Sequence, residues 1–157
     1  MPTHYSGPPK EIQALNAFIN LIRAADSISA KINTALSDYG LTETQFGVLE
    51  SLFHLGSLCQ KALADKLLKS SGNITMVIDN LEKQELVLRQ RDSRDRRYIT
   101  IHLTPKGQSL METIFPAHVG RITTLMDVLD PEEQEALRQL CRKLGKHAQE
   151  LCSETLR

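Results

Sequence analysis

The spacing of apolar residues changes from helical to alternating and back again along the chain, and this pattern constrains the fold more than any other feature. Before residue 85 and after residue 104, apolar residues recur every three or four positions, as in amphipathic helices. Between these points, Ile99, Ile101 and Leu103 alternate with polar residues, and residues 86–91 can form a second strand. The sequence therefore predicts a mainly α-helical protein with one small β-hairpin.

The composition agrees with a helical, water-soluble domain. The 157 residues suffice for one core, and only 4% of them are aromatic, so the core must depend on aliphatic side chains. No apolar run is long enough to span a bilayer, and the first residues lack the features of a secretory signal. Cys59, Cys141 and Cys152 have neither disulfide-framework nor metal-site spacing, so we expect a reduced cytoplasmic protein without membrane association.

Turn and capping signals divide the chain into four parts. Residues 1–9 are predicted to be a flexible tail, and residues 10–40 a long helix that ends at Gly40. Residues 41–104 hold three helices and the hairpin, and residues 105–157 two further helices with a kink at Pro116. The first helix carries an apolar stripe of Leu15, Phe18, Ile22, Ala25, Ile32, Leu36 and Tyr39. This stripe exceeds what one neighbouring helix covers, which predicts a partner subunit.

The helix predicted at residues 72–84 has one apolar and one polar face. Its apolar face comprises Ile74, Val77, Ile78 and Leu81, and Ser70 or Ser71 can cap its start. Its candidate DNA contacts are Ser70, Ser71, Asn73, Thr75, Met76, Asn80 and Lys83; the polar face also includes Asp79. Asn can read adenine through two hydrogen bonds, and Ser or Thr can serve bases or phosphates. The alternative interpretation is an ordinary solvated helix face.

The predicted hairpin has a cationic tip, although the formal net charge of the chain is zero. The tip carries Arg94, Asp95, Arg96 and Arg97. A narrow minor groove attracts Arg, and Asp95 can hold a neighbouring guanidinium in place. The alternative is a solvated turn that protects a strand edge. Helix, short helix, helix and basic hairpin in this order favour DNA binding, and all four tip residues are candidate contacts.

Five short segments resemble the MarR family of winged helix-turn-helix regulators. They are residues 63–67 (LADKL), 71–75 (SGNIT), 78–82 (IDNLE), 92–97 (DSRDRR) and 103–107 (LTPKG). The resemblance implies a winged helix-turn-helix core flanked by N- and C-terminal dimerisation helices that interlock two subunits. It also implies a repressor that binds a pseudo-palindromic operator as a homodimer, with the helix at 72–84 in the major groove and the wing arginine in the minor groove.

The sequence departs from the family pattern at two sites. Cys59 stands where Ser or Thr usually caps the short helix, and Ala62 stands where Glu is frequent. A thiol at a helix start can be redox-active, so Cys59 is a candidate oxidation sensor, although a buried inert thiol is the alternative. Glu85 stands where relatives commonly have Gly, at a turn that can require a left-handed residue.

The resemblance also implies release of DNA by a small molecule or an oxidant. Effectors in this family bind between the DNA-reading lobe and the dimer helices, which makes Tyr39, His54 and His118 candidate pocket residues for a small phenolic or quinone-like compound. His54, His102 and His118 lie on separate elements without ligand spacing, so we expect no metal site.

We expect no enzymatic activity and no cofactor. The chain lacks a nucleophile elbow, a phosphate-binding glycine loop, a zinc-protease motif and a dinucleotide fingerprint. The alternative function is a purely structural helical dimer, which would not bind an operator and would leave the arginine-rich tip unexplained.

Overall fold

The computed structural model describes residues 3–91 and 98–154, with side chains as far as residue 151. In this part of the chain it contains six helices and three short strands. These are α1 (Pro9–Ser37), α2 (Glu43–Leu55), β1 (Leu58–Cys59), α3 (Gln60–Leu67), α4 (Ser71–Lys83), β2 (Val87–Arg91), β3 (Ile99–Leu103), α5 (Pro105–Met126) and α6 (Pro131–Glu154). The predicted mainly α-helical fold with a small β wing is confirmed.

Side-chain caps fix where several helices begin. Thr42 and Gln45 form the predicted capping box of α2, because each side chain accepts a hydrogen bond from the backbone N–H of the other residue. At α5, the hydroxyl of Thr104 accepts from the N–H of Gly107 at 3.0 Å, with Pro105 in the first helical position. Asp130 and Glu133 make the same reciprocal bonds before α6. These starts follow from local sequence alone.

The sheet contains a strand that the sequence analysis missed. The strand order is β1-β3-β2, and both pairings are antiparallel. Leu58 pairs with Ile101 and Cys59 with Thr100, which makes β3 the central strand. Two residues are too few to show an alternating pattern, so β1 gives no periodic signal. The predicted two-stranded hairpin is thus part of a three-stranded sheet.

The end of α1 differs from the prediction, whereas the helix predicted to run through Pro116 does so. The helix α1 stops at Ser37, and Gly40 follows it with φ +68°, so the glycine belongs to the turn and not to the last helical residue. The N–H of Leu41 then bonds to the carbonyl of Leu36 at 3.2 Å. Pro116 lies inside α5, which continues past it to Met126. A proline in a helix removes one N–H donor but need not end the helix when packing holds it.

The chain divides into two compact units, Met1–His118 and Val119–Arg157. In the first unit, aliphatic side chains from α1 to α5 and the sheet form one core, whose least exposed members include Leu49, Leu63, Ile74, Ile78, Leu81, Ile101, Met111 and Ile114. The core includes residues of α5 that we had placed with the C-terminal dimerisation helices. The first half of α5 therefore belongs to the same core as α4.

The second unit exposes much apolar surface. Along α6, the exposed apolar residues are Leu137, Leu140, Leu144 and Leu151. In the first unit, α1 similarly exposes Leu15, Phe18, Leu21, Ile22 and Ile28. None of the helices in the described part of the chain has both the length and the apolar character of a bilayer-crossing segment.

Candidate nucleic-acid interface

The helix α4 has one face in the core and the opposite face in solvent. Ile74, Ile78 and Leu81 are fully buried, whereas Met76 is 61% exposed. A methionine exposed to this degree contributes little to folding, and its flexible thioether suits a contact with another molecule. The alternation follows the helical period, so the sequence correctly separated the buried face of α4 from its outer face.

The candidate contacts near the start of α4 divide into two groups. The hydroxyl of Ser70 accepts from the N–H of Asn73 at 3.3 Å and caps the helix. The hydroxyl of Thr75 donates to the carbonyl of Ser71 at 2.8 Å and accepts from the side-chain amide of Gln60. Ser70 and Thr75 therefore hold the helix start in place. The other candidates are exposed, and their side chains do not cap the helix; they are Ser71, Asn73, Met76, Asn80 and Lys83.

A shallow groove runs beside the outer face of α4. It has a volume of about 310 Å³ and lies between the start of α2 and the exposed side chains of α4. Thr42, Thr44, Asn73, Met76 and Asn80 are among its lining residues. Two helix surfaces that flank one groove with amide and hydroxyl groups are suited to a backbone with many hydrogen-bond acceptors. The sequence analysis did not identify the two threonines as part of this surface.

The strand β2 carries an arginine that turns toward α4. One terminal nitrogen of Arg89 lies 2.5 Å from a carboxylate oxygen of Asp79, and the other lies 2.5 Å from a carboxylate oxygen of Glu82. Burial by itself would lower the pKa of Arg89, but the hydrogen bonds that it donates to the two carboxylates, together with their negative charges, outweigh this and raise that pKa. The sequence analysis had counted Asp79 with the exposed polar face, and only the fold shows this ion pair.

The four candidate residues of the wing tip, Arg94, Asp95, Arg96 and Arg97, lie outside the described residues. The strands that lead to the tip are described, and Arg91 pairs with Ile99 as their last pair. DNA contact by the tip stays a prediction.

The turn between α4 and β2 adopts the conformation that the sequence analysis anticipated. Glu85 has φ +60°, in the left-handed region that favours glycine. The carbonyl of Glu85 accepts from the hydroxyl of Thr104 at 2.6 Å, and the ammonium of Lys106 donates to the carbonyl of Gln84 at 2.8 Å. Residues at the start of α5 thus hold the turn that follows α4 in place.

Cys59 occupies the position before the first residue of α3. Its backbone has the extended conformation of an N-cap, but its side chain makes no capping hydrogen bond. The thiol is partly buried, and the backbone pairs with Thr100 of β3. A redox role for Cys59 stays a prediction.

Two of the three candidate effector residues line separate cavities. Tyr39 lines a cavity of about 520 Å³, together with Lys106 and Thr113. His118 lines another, of about 450 Å³, and its ring centroid is 4.2 Å from that of Phe46. The ring of His54 packs edge-on against those of Phe53 and Phe115. Among the described residues, no three His, Cys, Asp or Glu side chains are placed to hold a metal ion.

A helix with an exposed polar face, packed on two other helices beside a short antiparallel sheet, defines a winged helix-turn-helix protein. The sequence model of the MarR family matches residues 41–99. The regulator MhqR of Bacillus subtilis, described as an HTH-type transcriptional regulator, is 38% identical over 138 residues, which cover 88% of this chain and 95% of that protein. The chain belongs to the MarR family of transcriptional regulators, and the resemblance drawn from its sequence is confirmed.

Solved structures agree on the fold. The MarR-family regulator Sco3205 of Streptomyces coelicolor, solved in complex with DNA, matches with a TM-score of 0.82 at 23% identity, covering 92% of this chain and 91% of that one. BpsR of Bordetella bronchiseptica, whose DNA binding is regulated by 6-hydroxynicotinic acid, matches with a TM-score of 0.74 at 27% identity. The match covers 82% of this chain and 98% of BpsR.

Proposed function

We propose that this protein is a transcriptional repressor that binds a pseudo-palindromic operator as a homodimer and releases it when a small effector binds. In each subunit, α4 lies in the major groove, with Ser71, Asn73, Met76, Asn80 and Lys83 as contacts. Ser70 and Thr75 fix the start of the helix beside the phosphates, and Arg94, Asp95, Arg96 and Arg97 meet the adjacent minor groove.

The exposed face of α4 carries this proposal. Isoleucine and leucine side chains hold one side of the helix in the core, so the outer side is presented at a fixed angle. An amide, a thioether and an ammonium on that side can meet adenine, a thymine methyl group and a phosphate, respectively.

The apolar surfaces of α1 and α6 support a homodimer. Phe18 on α1 is 60% exposed and Leu140 on α6 is 61% exposed, and each belongs to a row of exposed apolar residues. Rows of this length on one chain are normally covered by a partner. A two-fold dimer would place its two copies of α4 in successive major grooves, about 10 base pairs apart.

For the effector we propose a small phenolic or quinone-like compound. The ligand of BpsR is a hydroxylated aromatic ring, and this relative supports the same chemical class here. Both the cavity beside Tyr39 and the cavity beside His118 fall in the size range of small-molecule sites.

The test is a fluorescence-anisotropy titration of the full chain against the intergenic DNA upstream of its own gene. Random duplex serves as competitor, and the salt concentration is varied. We expect tight binding that resists competitor, saturates at one dimer per site and weakens with salt. The complex is then titrated with catechols and quinones.

A purely structural helical dimer makes the opposite prediction. It would show no salt-dependent affinity for any duplex, even at low ionic strength, and that result would overturn the proposal.

A further inference from the structure

Arg89 joins the wing to α4 at three points, two through its side chain and one through its backbone. Its two terminal nitrogens bind carboxylate oxygens of Asp79 and Glu82, each at 2.5 Å. The backbone N–H of Arg89 donates to the second oxygen of Glu82 at 3.0 Å. Strand β2 is thus fixed to two successive turns of α4 by one residue.

The position of these groups gives the contact a consequence for DNA binding. Asp79 and Glu82 lie on the helix that is proposed to enter the groove, and their side chains remain 47% and 40% exposed. The single positive charge of Arg89 offsets one of the two negative charges, and its guanidinium, paired with both carboxylates, is not free to bind a phosphate.

The chemistry of the contact requires arginine. A guanidinium is planar and carries donors in a fixed fork, so its two ends can bind two different carboxylates at once. Lysine concentrates its charge on one nitrogen at the end of a flexible stem. Arginine is therefore better suited than lysine to hold both turns of α4 in a defined orientation.

We propose that Arg89 is a positioning residue for operator binding, which sets the angle between the wing and α4 so that both meet one duplex, and that it does not bind phosphate itself. This inference rests on the proposed function. Arg89 would thus differ in role from the other arginines of the hairpin, although it lies next to them in the sequence.

The salt dependence of binding distinguishes positioning from phosphate contact. Affinities of wild type, Arg89→Gln and Arg89→Lys for the operator and for a random duplex are measured at several salt concentrations. We expect Arg89→Gln to lower the operator affinity about tenfold more than the random-duplex affinity, without a change in salt slope, because no phosphate contact is lost. Arg89→Lys should resemble Arg89→Gln although it keeps the charge.

Arg91→Gln is the matched control, since Arg91 lies two residues along the same strand and carries the same charge. Its operator-to-random ratio should stay near that of wild type. Thermal melts followed by circular dichroism confirm that each variant is folded at the assay temperature.

Asp79→Asn provides a second test, because positioning and simple electrostatics predict opposite effects of this variant on operator binding. Removing a negative charge from α4 would strengthen binding to every duplex if only electrostatics mattered. If Arg89 acts by positioning, Asp79→Asn should lower the ratio of operator affinity to random-duplex affinity. The double variant Asp79→Asn, Arg89→Gln should have the same ratio as Arg89→Gln alone, because both substitutions remove the same contact.

Two results would overturn the inference. One is a salt slope that falls by about one in Arg89→Gln with equal losses on both duplexes, which is the signature of a phosphate contact. The other is a wild-type operator-to-random ratio in both Arg89→Gln and Asp79→Asn. A wild-type chain that shows no operator preference would instead remove the proposed function, and this inference with it.

Discussion

At the scale of single residues, hydrogen bonding decides which polar side chains of α4 are available to a ligand. The hydroxyls of Ser70 and Thr75 are used within the protein, one as a helix cap and one in a bond with Gln60. Asn73 and Met76, in contrast, project from the exposed face. The sequence predicted that these residues share one helix end, but helical periodicity does not show which of them are already engaged.

Asn73→Ala tests base reading directly. If the amide reads adenine through two hydrogen bonds, its loss should lower operator affinity by about 1–3 kcal/mol and leave random-duplex affinity nearly unchanged. The salt slope should stay constant, because asparagine carries no charge. Competition titrations provide both affinities. Equal losses on operator and random DNA would remove Asn73 from the base-reading residues.

Cys59→Ser restores a missing cap. The backbone at Cys59 is already extended, so a serine hydroxyl can accept a hydrogen bond from an N–H in the first turn of α3. We expect the free energy of unfolding to rise by about 1 kcal/mol in urea titrations. Cys59→Ala is the control, and it should show no gain. A gain of the same size in both variants would attribute the effect to loss of the thiol and not to capping.

Glu85→Gly relieves a strained backbone. Glu85 has a left-handed φ, which costs an ordinary residue about 1–2 kcal/mol, while glycine adopts it freely. The exposed pairing of Glu85 with Lys106, at 3.4 Å, contributes little. Because glycine also makes the unfolded chain more flexible, we expect a net gain of about 0.5–1 kcal/mol in urea unfolding.

Glu85→Ala separates the effect of the backbone strain from the effect of losing the carboxylate. It removes the same carboxylate but keeps the strained backbone, so it should not stabilise the protein. If Glu85→Gly were less stable than wild type, the contacts of the Glu85 side chain would outweigh the backbone strain.

At the scale of elements, capping motifs made the helix starts predictable, whereas contacts between distant segments were not. Thr42 and Thr104 could be identified as caps from four or five neighbouring residues. The strand β1 forms only because Leu58 meets Ile101, and the pairing of Arg89 with α4 forms only because the chain reverses at Glu85. Local pattern carries no information about such partners.

A close approach between two elements explains Gly107, the last residue of the family-like segment 103–107. A Cβ atom at this position would lie 2.1 Å from the carbonyl oxygen of Leu86, which itself accepts from the N–H of Thr104. Gly107→Ala should therefore separate α5 from the base of the wing and destabilise the protein by about 2–4 kcal/mol. Urea unfolding measures the loss.

Gly72→Ala is the control for Gly107→Ala. Both glycines are in the first turn of a helix, but a Cβ at Gly72 meets no atom within 4 Å. This variant should be at least as stable as wild type, because alanine favours helix more than glycine. A Gly107→Ala protein as stable as wild type would show that the two backbones can separate at no cost.

At the scale of the whole molecule, the distribution of apolar surface was predictable but its partner was not. The long stripe on α1 exceeds what its own chain covers, as expected, and α6 adds a second row around Leu140. Sequence periodicity shows which face of a helix is apolar, but how that face packs against a partner depends on the second chain. Likewise the zero net charge of the chain hides a basic hairpin, since residues 89–97 contain five arginines and two aspartates.

Leu140→Glu tests the homodimer. A carboxylate in the middle of a covered apolar row would be buried without a partner, so the dimer should dissociate at micromolar concentrations. Sedimentation equilibrium gives the mass, and operator binding should fall with it, since one half-site alone supplies too few contacts. Lys146→Glu places a carboxylate on the other side of α6, with an even larger change in net charge, and should remain dimeric. A fully dimeric Leu140→Glu protein would place the interface elsewhere.

The central position of β3 has a consequence for how the protein acquires its structure. Because β3 joins the strand before α3 to the strand after α4, the helix-turn-helix is closed by a segment synthesised after all of its helices. Such non-local closure slows folding, since loop entropy is lost before the contacts form. On a translating ribosome, helices α2 to α4 would therefore be complete before residues 99–103 emerge and the sheet can form. A shortened chain ending before Ile99 would lose the pairing partner of β1, the strand directly before α3, as well as its wing.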